Sequence, residues 1–563
     1  ENGGLAHPGH THTPVLPFYK KEHLEAMLNS VSKQSYPHWE LIVADAGGTA
    51  ESVQAWAKKN GICLRKAADA SNLAEWMDQS IVLCTLFENK GISANTNAGI
   101  ELAAGDAVGL LDHDDLLTAN ALWEMADCLE KEKKRGKQKL VLFSDEDKCD
   151  GAASRFYEPN FKPDFDGELL LTNNYICHFT VIETAFLKEL KLRSGFDGAQ
   201  DYDFIFRCTE QAKEIVHIPQ VLYHWRCHQD STASNPESKM YAFEAGSRAI
   251  MAHYERMGIP AERVEKGVDY GIYHTTFKIK GEPLISIIIP NKDHSKDLDV
   301  CVRSILEKST YRNLEFIIVE NNSTEPETFA YYKKMEEKHP SFHVVTWKEG
   351  FNYSAINNFG ASFAKGEYLL LLNNDTELLE PDSIREMLGF CQREEVGIAG
   401  ARLLYADDTI QHAGVVVGLG GVAAHVLCKL PRDAEGYMGR LRCGQEISAV
   451  TAACMMVKTS VFKAVGGFDE ELKVAFNDID LCMKVRKYGV KIVFTPYAEL
   501  YHYESKSRGM EDTPEKQLRF SREVNCFRRK WERELLKGDP YYNPNLTLNN
   551  TDCSLRKQEK NGD

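Results

Sequence analysis

The sequence predicts an α/β protein built from two successive copies of one strand–helix unit, followed by a helical tail. Three observations carry this. Short β-rich runs alternate with amphipathic helical spacing. Several of these runs end in acidic residues. The same ordered motifs also occur twice in 563 residues, at an offset of roughly 260 to 280. A chain of this length suits two to four domains, and either half can bury its own core.

Copy 1 opens with "TPVLPFYKKEHLEAMLNSVSKQSYPHWELIVADAGGTAE" and copy 2 with "LISIIIPNKDHSKDLDVCVRSILEKSTYRNLEFIIVENNSTEPE". Each reads strand, Pro-containing loop, amphipathic helix, strand, polar turn. Apolar spacing at Leu24, Met27, Leu28 and Val31, and at Leu298, Val302, Ile305 and Leu306, gives the first helix of each copy. "ELIVAD" and "EFIIVE" are the strands that follow. Next come "GDAVGLLDHDD" and "KGEYLLLLNNDTE", each an apolar run that ends in a polar burst. "GAQDYDF" and "AFNDIDL" each open a further helix, and "YHWR" and "YHYESKSRG" close the copies. Strands alternating with helices imply a parallel sheet. The expected domains are 1–268 and 283–510, joined by a linker at 269–282, with 511–563 as amphipathic helix and polar tail. In that tail Val524, Phe527, Trp531 and Leu535 have helical spacing. The plain expectation is a helix packed on copy 2, and the sharper one is peripheral contact with a membrane. The histidine-rich opening "HPGHTHTP" reads as a mobile end rather than a metal site.

Composition narrows the function. A formal net charge of −16 and a pI near 5.7 argue against nucleic acid as a partner. The 15 cysteines are scattered with no C-x-x-C, which fits reduced thiols and a cytoplasmic protein. No signal peptide is visible, and the longest apolar stretches fall short of the roughly 20 residues of a bilayer span.

In an open parallel sheet, ligands sit outside the carboxyl ends of the strands. Asp45 and Glu320 end the second strand of each copy. Asp112 with Asp114, and Asp375, end a later one. Carboxylates gathered there suit a hard divalent cation, Mg²⁺ or Mn²⁺, that neutralises a diphosphate. Asp115 and Thr376 are expected instead to cap the helices that follow. Asp201 and Asp478 are candidate general bases, with Asp203 and Asp480 two residues on to share any capping. His224 and His502 each follow a Tyr, with Arg226 near one and Lys506 and Arg508 near the other. These suit metal or phosphate contact.

Taken together, these motifs resemble those of a tandem family 2 glycosyltransferase with two GT-A, Rossmann-like domains. "ADAGGTAE" and "VENNSTEPE" resemble that family's nucleotide-binding turn, and "LDHDD" and "LNNDTE" its D-x-D metal motif. "AQDYD" and "FNDID" resemble the region of its base, and "YHWR" and "YHYESKSRG" its late histidine segment. "FNYSAINNFG", "TIQHAGVVVGLGG" and "SAVTAACMMV" are similar to tandem enzymes of O-antigen and rhamnose-containing polysaccharide assembly. The resemblance implies inverting, metal-dependent transfer from a UDP- or dTDP-linked nucleotide-sugar to a lipid-linked or growing glycan at the inner face of the membrane. By position, it implies Asp201 and Asp478 as bases and Asp114, Asp375, His224 and His502 as metal ligands. Asp45, Glu320, Asp112, Arg226, Lys506 and Arg508 would then contact the nucleotide-sugar. Two departures stand out: Ala46 replaces one frequent acid in copy 1, and Asn373 replaces the first acid of D-x-D in copy 2. A sugar-phosphate nucleotidyltransferase is one rival, although "PFYKKEH" and "PNKDHSK" lack the glycines of its basic loop. A glycan-binding scaffold with one or both copies inactive is the other.

Overall fold

The computed structural model describes residues 8–14, 21–67, 78–227, 236–503 and 513–557. The chain forms two compact units. Unit 1 comprises residues 1–165, 174–258 and 264–271, and unit 2 comprises 166–173, 259–263 and 272–563.

Across the sheet of unit 1 the strands run Cys63–Lys66, Ser80–Thr85, Glu40–Asp45, Pro8–Pro14, Ala107–Leu110, Thr180–Glu183, Leu140–Cys149, Glu214–Arg226 and Leu116–Leu117. The first five are mutually parallel. Thr180–Glu183 is antiparallel to both its neighbours. Leu140–Cys149 and Glu214–Arg226 are parallel to each other, and Leu116–Leu117 adds an antiparallel edge. Unit 2 repeats the order from the second strand onward: Phe342–Thr346, Leu314–Glu320, Ile285–Asn291, Tyr368–Leu372, Cys454–Lys458, Val396–Leu404, Lys491–His502 and Thr376–Leu378. Its strand directions match those of unit 1.

Two expectations are corrected here. The sheets are mixed rather than wholly parallel. Strand–helix alternation reports that a crossover exists, but it does not say which way the next strand enters the sheet. Residues 8–14 of the opening, "PGHTHTP", are also no loose end. Pro8–Pro14 is a strand held between Glu40–Asp45 and Ala107–Leu110. The corresponding slot in unit 2 holds the strongly apolar Ile285–Asn291. A vacant slot between two parallel strands would leave two rows of backbone groups unpaired, so even a weak β-former is drawn in.

The predicted helices form at Lys21–Ser32 and Ser295–Lys308. Leu24, Met27, Leu28, Val31, Leu298, Val302 and Ile305 are all buried, and Leu306 is half-buried. Each fully buried side chain of this size contributes about 1.5–3 kcal/mol. No described cysteine is in a disulfide. Among the described residues, no helix is long and apolar enough to cross a membrane.

The tail helix spans Pro514–Lys530 and packs on unit 2. Phe527 and Trp531 are buried, while Val524 and Leu535 are half-buried. Unit 1 has a counterpart, Pro236–Met257, which packs against the helix Gln200–Gln211 through His253 on Glu210 and on Phe206. Both helices begin Pro-Glu, in "PESK" and "PEKQ". The tail helix is therefore a further shared feature.

Candidate active site

In unit 2 the carboxyl ends of the strands open into a cavity of about 980 Å³. Its walls include Asn373, Asp375, Asp478 and His502. The apolar strand Tyr368–Leu372 delivers Asn373 through Asp375. Asn374, the middle residue of the motif, turns inward and donates to Asn291 Oδ1 at 2.7 Å. Asp478 lies in the first turn of the helix Asn477–Tyr488, and its Oδ2 accepts from the Ala452 N–H at 3.2 Å. Tyr353 OH reaches both Asn373 Oδ1 and the Ala452 carbonyl at 3.2 Å. Burial, then the charges of Asp478 and Asp375, push its phenol well above the ordinary value. Asn477 Nδ2, in the cavity wall, has no hydrogen-bond partner among the described residues.

The hydrogen bonds around His502 fix its tautomer. Gln411 Nε2 donates to the His502 carbonyl at 3.2 Å, so Gln411 Oε1 faces His502 Nδ1 at 2.7 Å. Nδ1 therefore carries the proton. Nε2 lies 3.1 Å from Asn373 Nδ2 and 3.3 Å from Asp375 Oδ1. His502 Nε2 and Asp375 Oδ1 thus face the cavity side by side, where both could ligate one cation.

Strand register aligns the two copies residue by residue. Val108 pairs with Ile182, and Leu369 pairs with Val457. Counting on from these pairs, Asp112 matches Asn373, Asp114 matches Asp375 and Asp115 matches Thr376. On the neighbouring strand, His502 pairs with Thr376, whereas His224 pairs with Leu116. His224 is therefore the counterpart of Tyr501, and His502 is the counterpart of Trp225. The two Tyr-His pairs match as text but differ by one position in the sheet. Such a slip moves a side chain to the opposite face. His224 instead bonds Asp147 at 2.5 Å and packs on Phe156.

Unit 1 has a histidine that the motif comparison missed. His178 Nδ1 is 2.8 Å from Glu146 Oε2, which also lies 3.5 Å from the buried Lys162 Nζ. Burial opposes the imidazolium, but the Glu146 charge prevails and raises His178 to about 9. Burial likewise opposes the Glu146 charge, but Lys162 and His178 lower it to about 2. Asp112 is pushed upward by surrounding protein and by Asp114, although the residue keeps an exposed edge; His178 counteracts this and Asp201 adds to it. These groups therefore share one field. Asp201 Oδ2 accepts from Asn174 Nδ2 at 2.9 Å and from the Cys177 thiol at 3.2 Å. Glu146 sits on the strand Leu140–Cys149 and His178 just before Thr180–Glu183, where no shared motif drew attention to them.

Other expected site residues have structural work. Asp45 accepts four backbone N–H bonds, from Gly47, Gly48, Thr49 and Ala50. Glu320 accepts from the Ser323 N–H and hydroxyl and from Tyr332 OH. Each shapes its own turn, and the neighbouring Asn321 lines the cavity of unit 2. Arg226 is buried, and its Nε and Nη1 hold the carbonyls of Asp114 and Gly151. It braces the acidic loop and does not present a charge to solvent. Asp115 and Thr376 cap no helix. Asp115 accepts from Tyr223 OH and the Arg226 N–H, and Thr376 donates to the Asn373 carbonyl. The expected caps lose because Asn120 and Asp382 hold the N-cap positions of those helices. Asp203 and Asp480 are fully buried ion-pair centres. Arg193 and Arg207 hold Asp203, while Lys530 and Trp531 Nε1 hold Asp480 at 2.8 Å. Lys506 and Arg508 lie outside the described residues.

Among the described residues, no group of three or more His, Cys, Asp or Glu side chains is arranged to hold a metal alone. The donors present fit a different kind of site. Asp375 with His502, or Asp112 with Asp114, would give two ligands to a cation that phosphate oxygens and water complete. Hard cations at phosphate sites are held in this way.

The model of the glycosyl transferase family 2 matches residues 14–190 and 286–466, one segment in each copy. An uncharacterized protein, y4gI, of Sinorhizobium fredii is 42% identical over 96% of this chain and 58% of its own length. The O-antigen biosynthesis protein RfbC of Myxococcus xanthus is 36% identical over 96% of this chain and 40% of its own. The chain thus spans about half the length of these relatives. A mannosyltransferase of Pyrobaculum calidifontis, solved with GDP-Man and Mn²⁺, overlaps 45% of this chain and 65% of its own at 17% identity and a TM-score of 0.34, too low to add to the topology above. The repeated sheet order and the two matched segments, which cover well over half of the chain, agree: this protein, with its two tandem GT-A-type α/β units, belongs to glycosyl transferase family 2.

Proposed function

We propose that the chain is a bifunctional inverting glycosyltransferase of polysaccharide assembly, with one working site in each unit. The observation that carries this reading is the unit 2 cavity, where Asp478 faces the same space as Asp375 and His502. Asp478, and Asp201 in unit 1, take the proton of the attacking acceptor hydroxyl. Asp375 with His502, and Asp114 with Asp112, would hold Mg²⁺ or Mn²⁺, which when bound would neutralise the charge of the nucleoside diphosphate. Asn321 and Asn477 orient the donor. The acceptor is a lipid-linked or growing bacterial glycan, rhamnose-containing polymers included; the name of the Myxococcus xanthus relative supports this class. The donors are nucleoside diphosphate-sugars, UDP- or dTDP-linked in this reading, and the acidic strand ends support a donor whose diphosphate would be met by a cation.

The test is release of nucleoside diphosphate from a panel of nucleotide-sugars, with and without polysaccharide acceptors. Acceptor-dependent release from at least one donor is expected. Silence across the whole panel, from folded protein, sinks the reading.

A further inference from the structure

We propose that the helix Pro514–Lys530 is a working part of the unit 2 site, and that Glu523 on it is the positioning residue for the base Asp478. The inference rests on the function proposed above.

Glu523 is buried, 3% exposed. Its Oε1 accepts from the N–H groups of Lys473 at 3.0 Å and Val474 at 3.1 Å, and its Oε2 from Ala475 at 3.0 Å. Three successive backbone donors thus converge on one carboxylate, which is a strong, directional arrangement. Arg519 Nε lies 3.6 Å from Glu523 Oε2. The clamped segment runs straight into Phe476, Asn477 and Asp478. Phe476 has φ of 62°, a left-handed conformation that an aromatic residue rarely adopts. Two aromatic rings of the same helix hold it, Phe520 at 5.7 Å and Phe527 at 5.5 Å. Such strain persists where its surroundings over-determine it. The helix thus fixes the four residues that set where the Asp478 helix begins. Val474, Lys516 and Arg519 also line the cavity that holds Asp478, so the same helix forms part of its wall.

The clamp is particular to copy 2. Counting from the shared Pro-Glu start, Glu523 corresponds to Ala245, which has no carboxylate to offer. In unit 1 the start of the base helix is approached instead by Tyr241, packed against Gly198.

The experiment follows the transfer step that Asp478→Asn removes, with the step that Asp201→Asn removes as internal reference. Glu523→Gln keeps the shape but turns an amide N–H₂ or a single acceptor toward three donors. Glu523→Asp keeps the charge but withdraws it by one methylene. Both are measured in full-length protein, at a temperature where the melting curve shows it folded. The expected result is a kcat loss of about 10²-fold for Glu523→Gln in the copy 2 step, the scale of a misplaced catalytic group. Donor KM and the copy 1 step stay at parental values, and Glu523→Asp falls between. An unchanged kcat in folded Glu523→Gln overturns the proposal, as does a loss confined to KM or shared equally by both steps. If Asp478→Asn removes no step at all, the functional reading itself fails, and that outcome is separate from failure of the clamp.

Discussion

The two units share one sheet order and one set of strand directions, yet their sites are charged and braced differently. In unit 1 the field is internal: Glu146, His178 and Lys162 form a partly buried ionic group beside Asp112. By register, unit 2 has Leu403 and Ala453 where unit 1 has Glu146 and His178. Its bracing comes from the helix Pro514–Lys530 and the Trp531 that follows it, through Glu523 to the loop before Asp478 and through Lys530 and Trp531 to Asp480. Arg193 and Arg207 do for Asp203 what that helix does for Asp480. A duplicated fold has kept Asp201 and Asp478 and the acidic strand end while changing what holds them. Such a difference is expected of two sites that read different substrates.

The largest test replaces the bases. Asp201→Asn and Asp478→Asn nearly preserve shape, and loss of a general base costs about 10²–10⁴ in rate. Each variant is expected to abolish a different transfer step, read by product analysis. Loss of the same step by both means the sites are coupled. Chelation of divalent cations is expected to stop both steps, and added Mn²⁺ to restore them; full turnover after exhaustive chelation removes the cation from the scheme.

Next in size is the bracing of the second aspartates. Breaking a buried charge pair costs about 3–5 kcal/mol. Lys530→Ala leaves Trp531 and Lys484 near Asp480, so it should lower the melting of unit 2 less than Trp531→Ala combined with it. Arg207→Ala should act on unit 1 instead. A single shared melting shift for all of these variants would show that the units do not unfold separately.

How much of this was legible in the sequence follows from what each signal measures. Repeated apolar runs report a repeated sheet, so the α/β plan and the ends of the acidic strands were readable. Asp114 and Asp375 indeed match by register. The histidines were not readable, because a Tyr-His pair looks the same whichever face of the strand its histidine takes. Asp45 and Glu320 show the other limit. A carboxylate after a strand reads as a ligand, yet a turn rich in free N–H groups can consume it. Glu523 and His178 carried no motif, since their partners are backbone or lie far away in sequence. His502→Ala is expected to weaken the copy 2 step by about 10- to 100-fold, the scale of a lost metal-site contact, whereas His224→Ala leaves donor use at its parental level. Equal losses would restore the pairing by sequence and reject the pairing by register.

The smallest effect is a pH dependence confined to unit 1. His178 is raised to about 9, above its ordinary value of 6.5. A group raised in the folded state contributes stability that is complete below the ordinary value and lost as pH rises through the folded one. The window is therefore about pH 6.5 to 9. Glu146, lowered to about 2, adds stability that is present above the ordinary carboxylate range and lost only as pH falls through about 2. It does not intrude on the alkaline window. The groups facing His178 are Glu146, Asp112 and Asp115, with Tyr223 stacked at 5.4 Å and Trp225 at 4.9 Å. Its side chain is 28% exposed, so water discounts the shift, and the loss is on the order of 1 kcal/mol. Unit 1 should melt at lower temperature at pH 10 than at pH 6, and His178→Ala should flatten that slope. Unit 2, with Leu403 and Ala453 at these places, has no such pair to lose. An imidazole that titrates near 6.5 by NMR, or an alkaline loss that survives His178→Ala, would place the contrast between the two units somewhere other than this ion pair.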